Sequence, residues 1–571
     1  MAAVQFRKLD ENEDDREEIE VSMSDHTFTV DDAIEQCGFG LFQIWLSIFS
    51  GLIWMVDAME MMLLSILAPE ARCDFHLADW EEALITTVVF IGMLIGSTLW
   101  GKILDKWGRK RGLFLSTIWV CYFALLSAFA YSYVWLLVLR ALVGFGIAAS
   151  PQAMTYYAEF LPVKSRAYCL IFVEVFFSIG TMLEVVLAII VMPRFDWHWL
   201  LGLTAIPVFI DLFAFKLVPE SPRYYVAAGQ LEKAREVLEQ VARMNGKTLP
   251  AGRLVSHKGK QNIDASVVSE SESTLETHAE YHSTDRHTVT KVDDSKVKSS
   301  DVDDRPVVTK VDGSGVEPSY VDEGSDLLTS KSSDGNGKVS QNERGSFSLL
   351  FSSKKMGKST ILLWVIWFSM AFTYYGIVLL TTEMLAIIKE RSNDSSVVPC
   401  IEEAPVDNDN CARLEQDDYL TLLWTTAAEA PGLIITALII ERIGRKKTMA
   451  LELAGCAVMF LLMLICPIRT ALLMLLVFLT RALITGGYQA AFVYTPEVFP
   501  TNVRGLGLGS CSGAARLGAI ATPFIAQVVL RASISSAKGT YAAVGLLCSI
   551  CALLLPIETR GRLMTEQVDS L

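Results

Sequence analysis

Charge is scarce in this 571-residue chain: Asp, Glu, Lys and Arg make up 20% of it, against 52% hydrophobic residues. With a mean hydropathy of +0.38, the chain has too few polar groups to cover a water-soluble fold, so apolar side chains must face lipid. Histidine is rarer still, at seven, and the eleven cysteines are scattered, mostly in apolar runs, with no His/Cys cluster at metal-ligand spacing. No metal site is expected. A Walker loop, a Gly-x-Ser-x-Gly elbow and a His-rich metal box are all missing, so neither an ATP-driven pump, nor an enzyme, nor a cofactor is expected. Nucleic acid finds no basic stripe or aromatic-basic platform, because the net charge is −15 and lies largely outside the apolar runs. Met1 to Gln36 carries twelve Asp/Glu against three Lys/Arg and no apolar core, which excludes a cleavable signal or a basic transit peptide. The first membrane helix is expected to act as the insertion signal.

What the chain has in quantity is long apolar runs. A hydrocarbon core of about 30 Å needs roughly 20 apolar residues in a helix. Twelve such runs can be read. The first six lie near 41–64, 80–99, 112–131, 134–156, 167–192 and 200–218, and the second six near 359–388, 419–440, 448–466, 471–494, 505–530 and 540–556. The expected fold is therefore an all-α membrane protein of twelve helices in two halves, 41–218 and 359–556. An acidic N-terminus (1–40), a linker (219–358) and a tail (557–571) complete the chain. Lys102, Lys106, Arg109, Lys110 and Arg111 follow the second run, and Arg442, Arg445, Lys446 and Lys447 follow the eighth. The positive-inside rule makes both loops, and with them both termini, cytoplasmic. The loop from Arg391 to Asp418 is acidic and is expected to face a lumen or the exterior. It holds the sequon Asn393-Asp394-Ser395, a candidate for glycosylation, and Cys400 and Cys411, which can pair with each other or with Cys73.

Within the linker, Leu231, Ala234, Val237, Leu238 and Val241 recur at helical spacing and predict a short amphipathic helix. From about Ser256 to Glu343 the composition turns to Ser, Asp, Lys, Val and Gly, which predicts disorder, a set of phosphorylatable hydroxyls and a surface for cytoplasmic partners.

The two halves echo each other. Gly101 to Lys110 returns as Ala437 to Lys446, with Gly108 matched by Gly444, 336 residues on. Glu159-x-x-Pro162-x-x-x-Arg166 returns as Glu497-x-x-Pro500-x-x-x-Arg504, at an offset of 338. Pro219-Glu220-Ser221-Pro222-Arg223 closes the first half and Pro556-Ile557-Glu558-Thr559-Arg560 the second. Three echoes in one order predict a duplicated six-helix unit.

Gly101 to Arg111 resembles the loop signature of the major facilitator superfamily, and the Glu-x-x-Pro-x-x-x-Arg and Pro-Glu-Ser-Pro-Arg elements resemble its sugar and organic-ion transporter branches. Asp57 to Pro69, Tyr157 to Pro162, Tyr374-Tyr375-Gly376 and Tyr494 to Val498 are similar to the synaptic vesicle 2-related family and, more distantly, to synaptic vesicle glycoprotein 2. The Ser/Asp-rich linker and the acidic loop depart from that pattern. The resemblance implies alternating access in a vesicle membrane. It also implies a cytoplasmic gate latched by Gly101, Asp105, Gly108, Arg109, Glu159 and Arg166, with Glu441, Arg445, Glu497 and Arg504 equivalent. Residue chemistry agrees in part: Gly101 and Gly108 permit close packing and a tight turn, while Asp105, Arg109 and Arg166 can form an inter-helix charge network. Loop cations that only set topology are the competing reading.

Ionisable groups inside spans are costly and face an interior or a cavity. Asp57, Glu60, Arg140, Glu174, Glu184, Asp211, Glu429, Arg481 and Arg516 fall in this class. Counting about 1.5 Å per residue places Asp57 and Arg140 within roughly 5 Å of one depth, so either Asp57 or Glu60 can meet Arg140. Glu60 can equally reach headgroups. Glu429 and Arg516 fall near mid-span and are the leading candidates for a central solute or proton site, with structural ion pairing as the alternative. Tyr156, Tyr157, Tyr374, Tyr375 and Trp424 can line it, and Pro431-Gly432 and Gly486-Gly487 can bend the helices around it. Three functions stay open: a carrier of a small charged organic solute, with a coupling proton; a non-transporting vesicle protein that binds ligands or partners; and a plasma-membrane organic-ion carrier.

Overall fold

The computed structural model describes residues 27–256, 347–391, 397–398, 413–465, 468–499 and 503–560. These belong to one compact unit formed from 1–260 and 344–571. Asn393, Cys400, Cys411 and nearly all of the Ser/Asp-rich stretch lie outside the described residues.

In lipid every backbone polar group must be satisfied within its own segment, and the apolar runs are helical for that reason. After α1 (Val30–Cys37), the first half contains α2 (Leu41–Phe75), α3 (Asp79–Trp107), α4 (Arg109–Ser127), α5 (Tyr133–Ile147) continued by α6 (Pro151–Ala158), α7 (Val163–Val191) and α8 (Trp197–Ala214). Two short helices follow, α9 (Pro222–Ala227) and α10 (Leu231–Met244). The second half contains α11 (Lys354–Arg391), α12 (Gln416–Thr426) continued by α13 (Glu429–Ile443), α14 (Arg445–Leu462) and α15 (Thr470–Val498). It ends with α16 (Arg504–Pro523), which passes through a π turn at Phe524–Val529 into α17 (Leu530–Ala532), and with α18 (Ile534–Leu554). Ten spans among the described residues are long and apolar enough to cross a bilayer. The remaining two, α4 and α14, hold the third place of each half. Each opens on three consecutive basic residues, which lower its average hydropathy.

Helix breaks follow proline chemistry. Pro151 begins α6 and Pro431 sits in the first turn of α13, where a missing N–H leaves no bond unmade. The eighth span is therefore interrupted at Ala427–Ala428, just before Pro431-Gly432. At Gly486-Gly487, by contrast, α15 runs on as one continuous helix. Gly432 and Gly486 serve packing instead: a Cβ on Gly432 would lie 2.4 Å from the Ala482 carbonyl oxygen, and one on Gly486 would meet Thr436 and Glu452. The first helix runs eleven residues past the expected Leu64 and carries Glu70 and Arg72 into buried positions.

The loops at Gly108 and Gly444 share one end of the bundle, here termed the basic face. There β1 (Thr27–Phe28) pairs in parallel with β2 (Arg253–Leu254). Val30, Ala33 and Ile34 of α1 pack on Ala234 and Leu238 of α10. Asn245, directly after α10, accepts from the Phe42 N–H at 3.0 Å and donates to Gln43 at 2.8 Å, so the start of α2 is tied to the segment that follows α8. At the opposite end β3 (Val397–Val398) pairs antiparallel with β4 (Ile468–Arg469). Cys73 is disulfide-bonded, to a partner outside the described residues. Cys548 and Cys551, at Cys-x-x-Cys spacing in α18, are free thiols.

Candidate functional site

At the basic face the internal repeat becomes a pair of matched charge networks. Arg109 lies 2.8 Å from Asp105 and 3.3 Å from Glu159. Arg445 lies 2.9 Å from Glu441 and 3.2 Å from Glu497. Ser221 donates to Glu159. Burial pushes the Glu159 carboxyl above its ordinary value, and the Ser221 hydrogen bond and the Arg109 charge pull it back. Gly108 and Gly444, at φ +105° and +95°, make the left-handed turns that aim α4 and α14. Each helix start is capped by the carboxylate of the third echo. Glu220 accepts from the Lys110 N–H at 2.9 Å, and Glu558 accepts from the Arg445 N–H at 3.0 Å. The sequence displayed Glu220 and Glu558 in matching positions, but their role appears only when the chain ends fold back on Gly108 and Gly444.

Two expectations need correction here. Arg166 does not link to Asp105 or Arg109. It sits in the first turn of α7 and donates to the Leu161 carbonyl at 3.1 Å, as Arg504 does to the Phe499 carbonyl at 3.3 Å, because each is nearer its own preceding loop. Gly101 faces open space, so close packing there is not its function.

At mid-depth the buried charges sort into sets. Glu60 takes Arg140 at 3.1 Å, with 2% and 1% exposure, so it does not reach headgroups. Asp57, three residues earlier, interacts electrostatically with Arg516 as well as with Glu60, and Tyr375 lies beside Asp57 and Arg516. Glu184 faces the same Arg140 and accepts from Thr204 at 2.9 Å. Glu174 accepts from the Trp54 indole at 3.0 Å. In the other half Glu429 accepts from Tyr374 at 3.2 Å and lies 3.9 Å from Arg481, while Thr181 of the first half donates to it at 3.2 Å. Arg516 reaches the Met93 sulfur of the first half at 3.4 Å. Phe90 and Tyr375, with ring centroids 4.7 Å apart, close the same contact between halves. Tyr488, stacked on Tyr374, belongs to this group and was missed, since a tyrosine in an apolar run carries no distinguishing signal. Asp211 is buried in α8.

Three aromatics lie elsewhere. Tyr156 donates to the Pro219 carbonyl at the basic face, and Tyr157 packs within the core of the first half. Trp424 is 51% exposed and stacks on Phe478. An apolar groove of about 710 Å³ is lined by residues of α11, α16 and α18 and by Leu94 of α3, none of them charged.

A third set was not anticipated. At the end opposite the basic face, Arg72 approaches Asp79 at 2.6 Å and Glu82 at 3.1 Å, while Arg531 approaches Glu383 at 2.8 Å. Gln527 of the second half donates to Glu82 of the first at 3.3 Å. Arg413 pairs with Asp74 at 2.5 Å, and Glu70 accepts from the Leu414 N–H at 3.3 Å. Near helix ends such residues read as interfacial; opposite charges at one depth on several helices were the available signal.

A duplicated bundle with paired basic turns and a charged middle narrows the comparison. The family model described as Sugar (and other) transporter matches residues 37–286, and the Major Facilitator Superfamily model matches 419–567. The synaptic vesicle 2-related protein of Bos taurus is 43% identical over 546 residues, which is 95% of this chain and 83% of that protein. The chain belongs to the major facilitator superfamily. The Xenopus laevis synaptic vesicle 2-related protein is 42% identical over 549 residues, with the same coverage. The partially occluded inward-open structure of the xylose transporter XylE from E. coli superposes with a TM-score of 0.60 over 91% of this chain and 99% of its own, at 12% identity, and so shares the fold. This facilitator is a multi-pass membrane transporter and not an enzyme.

Proposed function

We propose that this facilitator is a secondary active carrier of a small charged organic solute, driven by a proton gradient, and that it works by alternating access in a vesicle membrane. The observation that carries the reading is the mid-depth charge set, in which Asp57 faces Arg516 and Thr181 contacts Glu429 across the two halves. Buried ionisable groups are costly in a bilayer and are kept where they meet solute or ion. Arg481 and Arg516 suit an anionic group, and Tyr374, Tyr375 and Tyr488 suit a planar body. Glu429, Asp57 and Glu60 are the candidate proton carriers.

The basic loops support a cytoplasmic basic face and cytoplasmic termini. The Arg109 and Arg445 networks then latch the cytoplasmic gate, and the acidic loop with Asn393 is lumenal and glycosylated. The vesicle location is taken from the names of the relatives, and the Ser/Asp-rich linker is the contact for cytoplasmic partners.

The test is uptake into proteoliposomes of purified protein under an imposed proton gradient, screened across a solute library. Accumulation that is lost in Glu429→Gln and in Arg516→Ala is the expected outcome. Accumulation untouched by both keeps the carrier and removes this site, and no accumulation by folded protein removes the carrier reading.

A further inference from the structure

Five ionisable side chains from four helices meet at the end opposite the basic face: Arg72 on α2, Asp79 and Glu82 on α3, Glu383 on α11 and Arg531 on α17. Three carboxylates thus face two guanidiniums. Glu82 and Glu383 are both 0% exposed, and with all five groups ionised the cluster, whose other acid Asp79 is one-third exposed, would hold one uncompensated negative charge. The two glutamates come from opposite halves, yet approach the same Arg531 nitrogen, at 4.0 and 2.8 Å. Neither oxygen of Glu383 accepts a directed hydrogen bond among the described residues, nor does the Gln527 side-chain oxygen. What Glu383 lacks is a directed hydrogen-bond donor, and what the cluster lacks is one positive charge. A proton supplies both, and two carboxylates that share a site characteristically hold one.

We propose that Glu82 and Glu383 together bind a single proton at the seam between the halves, and that its release lets the halves part at this end. Asp79, one-third exposed, pairs with Arg72 at 2.6 Å, which leaves Arg531 to face both glutamates. Other charged groups nearby are engaged elsewhere: Glu70 with the Leu414 N–H, Asp74 with Arg413, Lys389 with Glu415 and Lys538 with the Met463 carbonyl. With the proton bound, the cluster is neutral and the seam is held by Arg531 and Gln527. With the proton gone, Glu82 and Glu383 repel each other across the boundary that must open. Acid on this side therefore keeps the seam shut. The site is separate from the mid-depth acids, so it sets which face opens and need not carry the proton that drives solute.

The experiment is hydrogen–deuterium exchange on the full-length protein in nanodiscs, corrected for intrinsic exchange, across about pH 5 to 8, where one-proton linkage changes the open-to-closed ratio by at most about tenfold per pH unit. Amides flanking Asp79 to Glu82 and Gln527 to Arg531 should exchange faster as pH rises in the wild type. Glu82→Gln and Glu383→Gln should each remain protected throughout. Either variant suffices if the other fails to fold. Flat wild-type exchange overturns the proposal, as does pH dependence retained in whichever variant folds. So does a dependence abolished by Glu60→Gln, which would assign the proton to mid-depth.

Discussion

The two ends of the bundle hold their charges differently. At the basic face, Asp105–Arg109–Glu159 and Glu441–Arg445–Glu497 each close within one half, and their outer acids are largely exposed, Asp105 at 68%. At the opposite end Arg72, Glu82, Glu383 and Arg531 are buried, and Glu82–Gln527, Asp74–Arg413 and Glu70–Leu414 cross from one half to the other. A network inside a half can latch the helices of that half against one another, whereas one that bridges the halves must break when they part. The buried members of the bridging set are the ones whose loss costs stability, because burial leaves no water to replace a lost partner.

The largest expected effect follows from that contrast. Arg531→Ala strands Glu383 in a dry seam and should cost about 3–5 kcal/mol, read as a large fall in melting temperature or loss of monodisperse protein. A melting temperature within error of wild type would show that the seam contributes little. Next come the helix caps. Glu220→Ala and Glu558→Ala should each cost about 1–2 kcal/mol, and by similar amounts, since the two carboxylates perform one role. Unequal losses would break the equivalence of the halves.

Smaller is the pH effect at Glu159. Its folded carboxyl binds a proton more readily than the unfolded one, so its contribution to stability is present below its ordinary value of about 4.3 and is lost as pH rises through the raised folded value. Glu159→Gln should flatten melting temperature against pH in that window, and an unaltered slope would remove Glu159 as its source. The smallest stability effect belongs to Asp105→Asn, within about 0.5 kcal/mol because that pair is exposed. Uptake should nonetheless fall with normal membrane insertion, and unchanged uptake at normal expression would sink the latch.

Helix number, the duplication and the basic turns were legible because each rests on a local pattern: run length, a recurring motif, a cluster of cations. Depth was legible as well, and counting residues brought Arg140 level with the acids of α2. Direction was not. Asp57 and Glu60 lie three residues apart, which turns their side chains about 60° from each other around the helix, and depth alone does not say that Glu60 takes Arg140 while Asp57 meets the field of Arg516. The seam stayed hidden for a related reason. Arg72 lies beyond the point where hydropathy ends the first helix, and nothing local reveals that α2 continues to Phe75 with its polar end buried. Long-range pairings such as Ser221 with Glu159 require the fold before they can be seen.

The self-contained clasp at each basic turn bears on how such a chain can be assembled. Glu220 reaches Lys110 and Glu558 reaches Arg445 from within the same half, so neither clasp needs the covalent bond between halves. Expressed as two separate polypeptides, parted anywhere in the Ser/Asp-rich stretch, the halves should each insert as a finished piece and find one another through the seam, as two once-independent gene products would.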